Sequence, residues 1–100
     1  MTIKELDAIN HIDSGVYSCM FIVDNVPEEY INKAKEVDDE SYLDSCMVVH
    51  AYYDTKNNTM TYDLLYITEE DTDLEWPCEL SKDDENKMRD MIRKEINYEN

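Results

Sequence analysis

Two runs of strand-forming residues, Cys46–Asp54 and Thr59–Ile67, flank the tetrapeptide Thr55-Lys56-Asn57-Asn58. β-Branched and aromatic side chains favour a pleated, half-buried surface, and Asn tolerates the backbone of a tight turn. The pattern predicts a hairpin over 46–67. With Asn57-Asn58 at the tip, Lys56 pairs with Thr59, and Tyr53 faces Tyr62, Ala51 faces Leu64 and Val49 faces Tyr66. Side chains alternate along a strand, so Met47, Val49, Ala51, Tyr53, Met60, Tyr62, Leu64 and Tyr66 share one face. Val48, His50, Tyr52, Asp63, Leu65 and Ile67 share the other. The first face is the more consistently apolar and is the one helices are expected to cover.

A hairpin alone is marginal in water, so the rest of the chain must complete a core. Val16–Val23 is nearly all apolar and reads as a central strand buried on both faces. Asp13-Ser14-Gly15 ahead of it reads as a turn, with the only glycine of the chain where a positive φ is useful. Three helices are expected. Thr2-x-x-Glu5 has the capping-box form and Ile3, Leu6 and Ile9 follow at three-residue spacing, which predicts a helix over 3–11. Pro27 suits a first helical position, Glu28 and Glu29 suit the positive end of the dipole, and Tyr30, Ile31, Ala34 and Val37 share a face, which predicts a helix over 27–38. Ser81 caps a third helix over 82–97, whose apolar stripe is Met88, Met91, Ile92 and Ile96. Residues 68–79 read as an acidic loop. The expected fold is a single α+β domain over 1–100, with a small antiparallel sheet of about three strands and helices packed mainly on one face.

The 100 residues hold 25 Asp and Glu against 9 Lys and Arg, a formal charge of −16. Direct nucleic-acid binding needs a cationic face, and docking on anionic lipid needs the same, so both are excluded as expectations. No apolar run approaches the roughly 18 residues of a membrane-spanning helix, and Met1-Thr2-Ile3-Lys4-Glu5 is no signal peptide, which predicts a cytoplasmic protein of a bacterial host. Cys19, Cys46 and Cys78 are odd in number and widely spaced, which suits reduced thiols.

Little here points to catalysis or to a cofactor. Cys46, His50 and Asp63 share a sheet face, but four residues on a strand put Cys46 about 13 Å from His50, too far for direct proton transfer. The cysteines and histidines lack chelating spacing. The run Glu69-Glu70-Asp71-x-Asp73 lacks the glycine and distal Glu of a calcium loop. The expectation is a protein without enzyme activity, cofactor or metal.

The placement of charge is more telling. Residues 1–81 carry 19 acidic and 4 basic side chains, against 6 and 5 in residues 82–100. A net charge of about 2 to 8 in magnitude keeps a small domain soluble, and this chain exceeds that about twofold. Residues with AT-rich codons (Phe, Tyr, Met, Ile, Asn, Lys) number 38 against 8 for Gly, Ala, Arg and Pro, which points to a low-GC bacterium or its phage rather than a halophile. A cationic partner then accounts for the excess. Carboxylates at i and i+2 on a strand stand roughly 7 Å apart, close to alternate phosphates along one DNA strand, so ordered carboxylates can imitate a phosphate track.

In length, acidity, small α+β outline and the acidic stretches 36–40 and 69–75, the chain resembles the small phage-encoded inhibitors of CRISPR effector nucleases. The likeness is one of character over the whole chain, with no shared motif. It implies a DNA mimic that occupies the cationic groove of a nucleic-acid-binding protein and excludes its substrate. The residues expected to meet that partner are Glu36, Asp38, Asp39, Glu40, Glu69, Glu70, Asp71, Asp73 and Glu75, with Tyr42 and Trp76 as apolar anchors. The competing expectation is an accessory or assembly protein of a mobile element that acts through its second sheet face, as a homodimer.

Overall fold

The computed structural model describes residues 1–36, 47–67 and 74–99, with side chains to residue 97. Five strands run in chain order across one antiparallel sheet: β1 (Thr2–Asp13), β2 (Val16–Asp24), β3 (Met47–Asp54), β4 (Thr59–Tyr66) and β5 (Leu74–Pro77). Helices α1 (Glu28–Lys35) and α2 (Lys82–Glu99) pack on one face of it. The α+β class, the antiparallel sheet and the single helical face are as the sequence indicates. Among the described residues the strand number is five rather than about three.

The largest correction is at the N-terminus. Residues 3–11 form no helix; they lie within β1, paired with β2. Ile3 pairs with Val23, Leu6 with Phe21 and Ile9 with Cys19, so all three point at the core. A regular strand would send residues three apart to opposite faces. Here the register slips between Ile3 and Glu5, between Leu6 and Ala8 and between His11 and Asp13. Each slip inserts one unpaired residue, and a β-bulge of that kind converts a period of two into a local period of three. The spacing that imitates a helix is that of a bulged edge strand.

β2 is central, as expected, but its two faces differ. Cys19, Phe21 and Val23 are buried on the helix side, while Ser18, Met20 and Ile22 are half-buried on the other. Gly15 closes the β1–β2 turn at φ 76°. Its carbonyl accepts hydrogen bonds from both the backbone N and Oγ1 of Thr55, each at 2.8 Å, and a Cβ there would stand 3.0 Å from that oxygen. The β1–β2 and β3–β4 turns are thereby tied together.

The β3–β4 hairpin forms, and its faces divide as the alternation requires. Its register differs by two residues: Asp54 pairs with Thr59, Tyr53 with Met60, Ala51 with Tyr62 and Val49 with Leu64. The whole tetrapeptide is the loop. The Asp54 carboxylate accepts from the backbone N of Lys56 and Asn57 and from Asn57 Nδ2, and Asn58 alone takes a positive φ of 53°. That Asx-type closure at the first residue outcompetes a two-residue Asn-Asn tip. A slip of two keeps every side chain on its face, whereas a slip of one would have inverted them all.

Part of the expected acidic loop is strand. Leu74–Pro77 pairs with β4, placing Leu74 opposite Tyr66 and Trp76 opposite Leu64. Pro77 ends it, and its carbonyl accepts the Tyr30 hydroxyl at 3.0 Å.

α1 is shorter than expected over its described length: Pro27 is the cap residue rather than the first helical one, and Val37 lies outside the described residues. α2 starts at Lys82 as expected and runs to Glu99. Ser81 Oγ accepts from the Asp84 backbone N at 3.2 Å and donates to the Asp84 carboxylate at 2.9 Å, so Ser81 is the N-cap. α2 is stitched to β1 at the same end. The Ile3 backbone N donates to Asp84 Oδ1, and Lys87 Nζ donates to the Ile3 carbonyl at 2.7 Å. The core between helices and sheet comprises Phe21, Val49, Leu64, Tyr66, Ala34, Met88 and Ile92 among others.

Candidate functional site

The acidic surface comes first, because charge is what the sequence singles out. No polar or charged residue is buried among the described residues. Glu5, Asp7, Asp13, Asp24, Glu28, Glu29, Glu36, Glu75, Glu79, Asp83, Asp90 and Glu95 are all exposed. The chain's few cations do little to neutralise them. Lys87 bonds the Ile3 carbonyl, Lys56 bonds Ser14 Oγ, Arg93 bonds Tyr53 Oη and Asn58 Oδ1, and Lys33 lies 5.5 Å from the Tyr30 ring centre. Their hydrogen-bond and ring partners are neutral, although Lys56 also lies near the Asp54 carboxylate, and the exposed acidic side chains stay turned to solvent.

Of the residues expected to bind a partner, Glu36, Glu75 and Trp76 are described; Asp38, Asp39, Glu40, Tyr42, Glu69, Glu70, Asp71 and Asp73 lie outside the described residues. Glu36 is exposed just beyond α1. Glu75 is exposed on β5, on the sheet face away from the helices. Trp76 points the other way, half-buried, with its ring 6.4 Å from both Tyr66 and Tyr30. That contact fastens β5 and α1 to the core.

The face away from the helices holds a polar chain that crosses three strands. Ser18 Oγ and His50 Nε2 are 2.8 Å apart, and His50 Nδ1 lies 3.6 Å from Glu75 Oε1. Tyr52 covers the imidazole at 4.7 Å between ring centres. His50 also pairs across the ladder with Asp63; Cys46 lies outside the described residues. The order hydroxyl, imidazole, carboxylate is that of a nucleophilic site, but acyl transfer also needs N–H donors aimed at the developing oxyanion. β2 is paired on both sides, which engages its amides in the ladders around Ser18. The arrangement works as a cross-strand brace. Ser18 is the only small hydroxyl residue in Val16–Val23, a signal the sequence offers, but its link to His50 depends on the β2–β3 register.

Two cavities lie elsewhere. One, of about 310 Å³, is formed where α2 passes the β3–β4 turn, with Tyr17, Tyr53, Asn58, Arg93 and Asn97 in its wall. The second, of about 540 Å³, lies between Pro27, Tyr30 and Cys78, beside Glu29 and Glu79. Burial pushes the Cys78 thiol up to about 11, helped by the nearby Asp63 charge. Burial likewise takes the Cys19 thiol up to about 12. Both are free thiols and both are poor nucleophiles at neutral pH. Burial, then the hydrogen bond to Glu85, raises the Tyr62 hydroxyl to about 12. Among the described residues no group of three His, Cys, Asp or Glu side chains could hold a metal ion, and no described helix is long and apolar enough to cross a membrane.

Comparison with known proteins finds no matching family model, no matching curated protein and no matching solved structure.

Proposed function

We propose that the protein is a non-enzymatic acidic binder that docks on the cationic surface of a nucleic-acid-processing protein, such as a CRISPR effector nuclease, and keeps nucleic acid from it. One observation carries the reading: the exposed carboxylates are not consumed by the fold. Lys33, Lys56, Lys87 and Arg93 are engaged with neutral oxygens or an aromatic ring, and the His50–Glu75 contact leaves Glu75 half exposed. A folded scaffold of this kind holds charge in place before binding, so association does not incur the ordering entropy of a disordered acidic tail. Glu36 and Glu75 border the two acidic stretches and would anchor the contact, with Asp38, Asp39, Glu40, Glu69, Glu70, Asp71 and Asp73 supplying the rest of the charge. Tyr42 would add an apolar contact. Trp76 is already engaged with Tyr66 and Tyr30, so its part would be to hold β5 in place.

The test is competition. A purified effector nuclease is loaded with fluorescent target DNA and titrated with this protein at rising salt. DNA should be displaced, and displacement should weaken at least about tenfold between 50 and 200 mM salt. Replacing Glu69, Glu70, Asp71 and Asp73 together by Lys should abolish displacement while far-ultraviolet circular dichroism stays native. Displacement that survives both the salt and the reversal would remove the acidic surface from the site.

The second reading, an assembly protein acting through the open sheet face, rests on Tyr52, 43% exposed there; Ile67, just beyond β4, is equally exposed. Self-association through that face would bury apolar area and would be insensitive to salt. Sedimentation at low and high salt separates the two readings.

A further inference from the structure

The cavity beside the β3–β4 turn has an unusual wall for so acidic a chain. Tyr17, Tyr53, Thr55, Asn58, Ile96 and Asn97 line it with Arg93, and among the described residues no acidic side chain does. Among the described residues Arg93 is its only charged group. The guanidinium is held from one end: Nη2 donates to Asn58 Oδ1 at 3.0 Å and to Tyr53 Oη at 3.2 Å. The Tyr53 hydroxyl in turn donates to Asn58 Oδ1 at 2.7 Å, which locks that triangle. Among the described residues no carboxylate pairs with Arg93, and with Nη2 engaged its Nε and Nη1 donors are left for a charge-assisted bond to an incoming carboxylate.

We propose that this cavity is a binding site for a small monocarboxylate with a flat apolar body. The charge follows from Arg93 and its neutral neighbours. A single negative charge is favoured over a double one, because the field of a protein with formal charge −16 repels a dianion twice as strongly as a monoanion while one guanidinium meets it. The flat body follows from the Tyr17 and Tyr53 rings and Ile96, and the volume of about 310 Å³ sits at the small end of ligand pockets. The site is separate from the acidic surface and does not depend on that surface's role.

The test uses benzoate as the probe, followed by amide chemical shifts of the intact protein at matched sodium concentration. Benzoate should shift the Thr55, Asn58 and Asn97 amides along a saturable curve. Benzamide, its uncharged isostere, should bind about tenfold more weakly, the cost of losing a charge-assisted pair. Inorganic phosphate at pH 8, largely a dianion, should bind more weakly than benzoate. Arg93→Gln should abolish the benzoate response, and Arg93→Lys, which keeps the charge but not the planar fork, should retain a weakened one with native circular dichroism. Equal response to benzoate and benzamide, tighter binding of phosphate, an unchanged response in Arg93→Gln, or linear shifts that never saturate would each overturn the proposal. Loss of folding in Arg93→Gln would leave the decision to Arg93→Lys and the benzamide comparison.

Discussion

The two faces of the sheet are built from alternate residues of the same strands, yet they are different environments. On the helix face Phe21, Val49 and Leu64 from adjacent strands have no exposed area and meet Met88, Ile92 and Ala34 from the helices. On the far face Tyr52 is 43% exposed, and the middle is crossed by the polar chain Ser18–His50–Glu75. Hydroxyls on the helix face are also bonded, but inward: Tyr62 donates to Glu85 of α2 at 2.6 Å, and Arg93 of α2 reaches back to Tyr53. The helix face holds most of the buried side chains. The far face buries Val48 and Leu65, and its polar chain ties β2 to β3 and β3 to β5, two strands away.

Truncations should expose that difference most strongly. Phe21→Ala removes a fully buried ring from the centre of β2 and should cost about 3 to 5 kcal/mol by urea denaturation, whereas Tyr52→Ala, one strand away and half in water, should stay within about 0.5 kcal/mol. Comparable losses from the two would erase the distinction between the faces.

Alkaline pH should act through the groups with raised values, Cys19, Tyr30, Tyr62 and Cys78, which pack in or against the helix-face core. Cys19 and Tyr62 both sit there, and folding raises the thiol from 9.0 and the phenol from 10.0, each to about 12. A raised folded value means that the neutral form is favoured in the fold. The associated stability is fully present below pH 9 and is lost as pH climbs towards 12. The melting temperature should therefore fall steadily across that window. Tyr62→Phe should be less stable at pH 7, having lost the bonds to Glu85 and Leu80, and should show a shallower fall between pH 10 and 12. An unchanged slope in that variant would assign the alkaline loss to Cys19, Cys78 or Tyr30.

A modest effect is also expected from the polar chain of the far face. Ser18→Ala removes the hydroxyl from His50 in a half-buried setting and should cost about 1 kcal/mol. A loss as large as that of Phe21→Ala would show that the polar chain organises the sheet and does more than brace it.

These contrasts also explain what could be read from the chain alone. The hairpin faces, the Gly15 turn and α2 follow from patterns confined to a dozen residues or so, where alternation, a positive φ or a Ser81 cap decides the outcome locally. β1 could not be read that way. Ile3, Leu6 and Ile9 satisfy a helix and a bulged strand equally well, and only the pairing with Val23, Phe21 and Cys19 selects the strand. β5 was hidden for a similar reason: Leu74-Glu75-Trp76 alternates for too short a stretch to stand out from the acidic run before it, and β4 supplies its definition. The candidate sites were least legible. Ser18, His50 and Glu75 are spread over 58 positions of sequence, and Arg93 meets Asn58 only because α2 runs back along the sheet to the hairpin turn.

The three bulges of β1 bear on how a partner can be met at all. An unbroken edge strand offers a template on which another backbone can zip, residue after residue, in the manner of a growing fibril. Here the inserted residues Lys4, Asp7 and Ile12 interrupt that template at intervals of three to five residues. At the opposite edge β5 is only four residues long, ends in a proline with no N–H to give, and has its last carbonyl already taken by Tyr30. Among the described residues neither margin of the sheet offers a long unbroken template, which disfavours ribbon formation when many copies are crowded together. Recognition is left to side chains, whose charge and shape can change by substitution without any shift in the strand register beneath them.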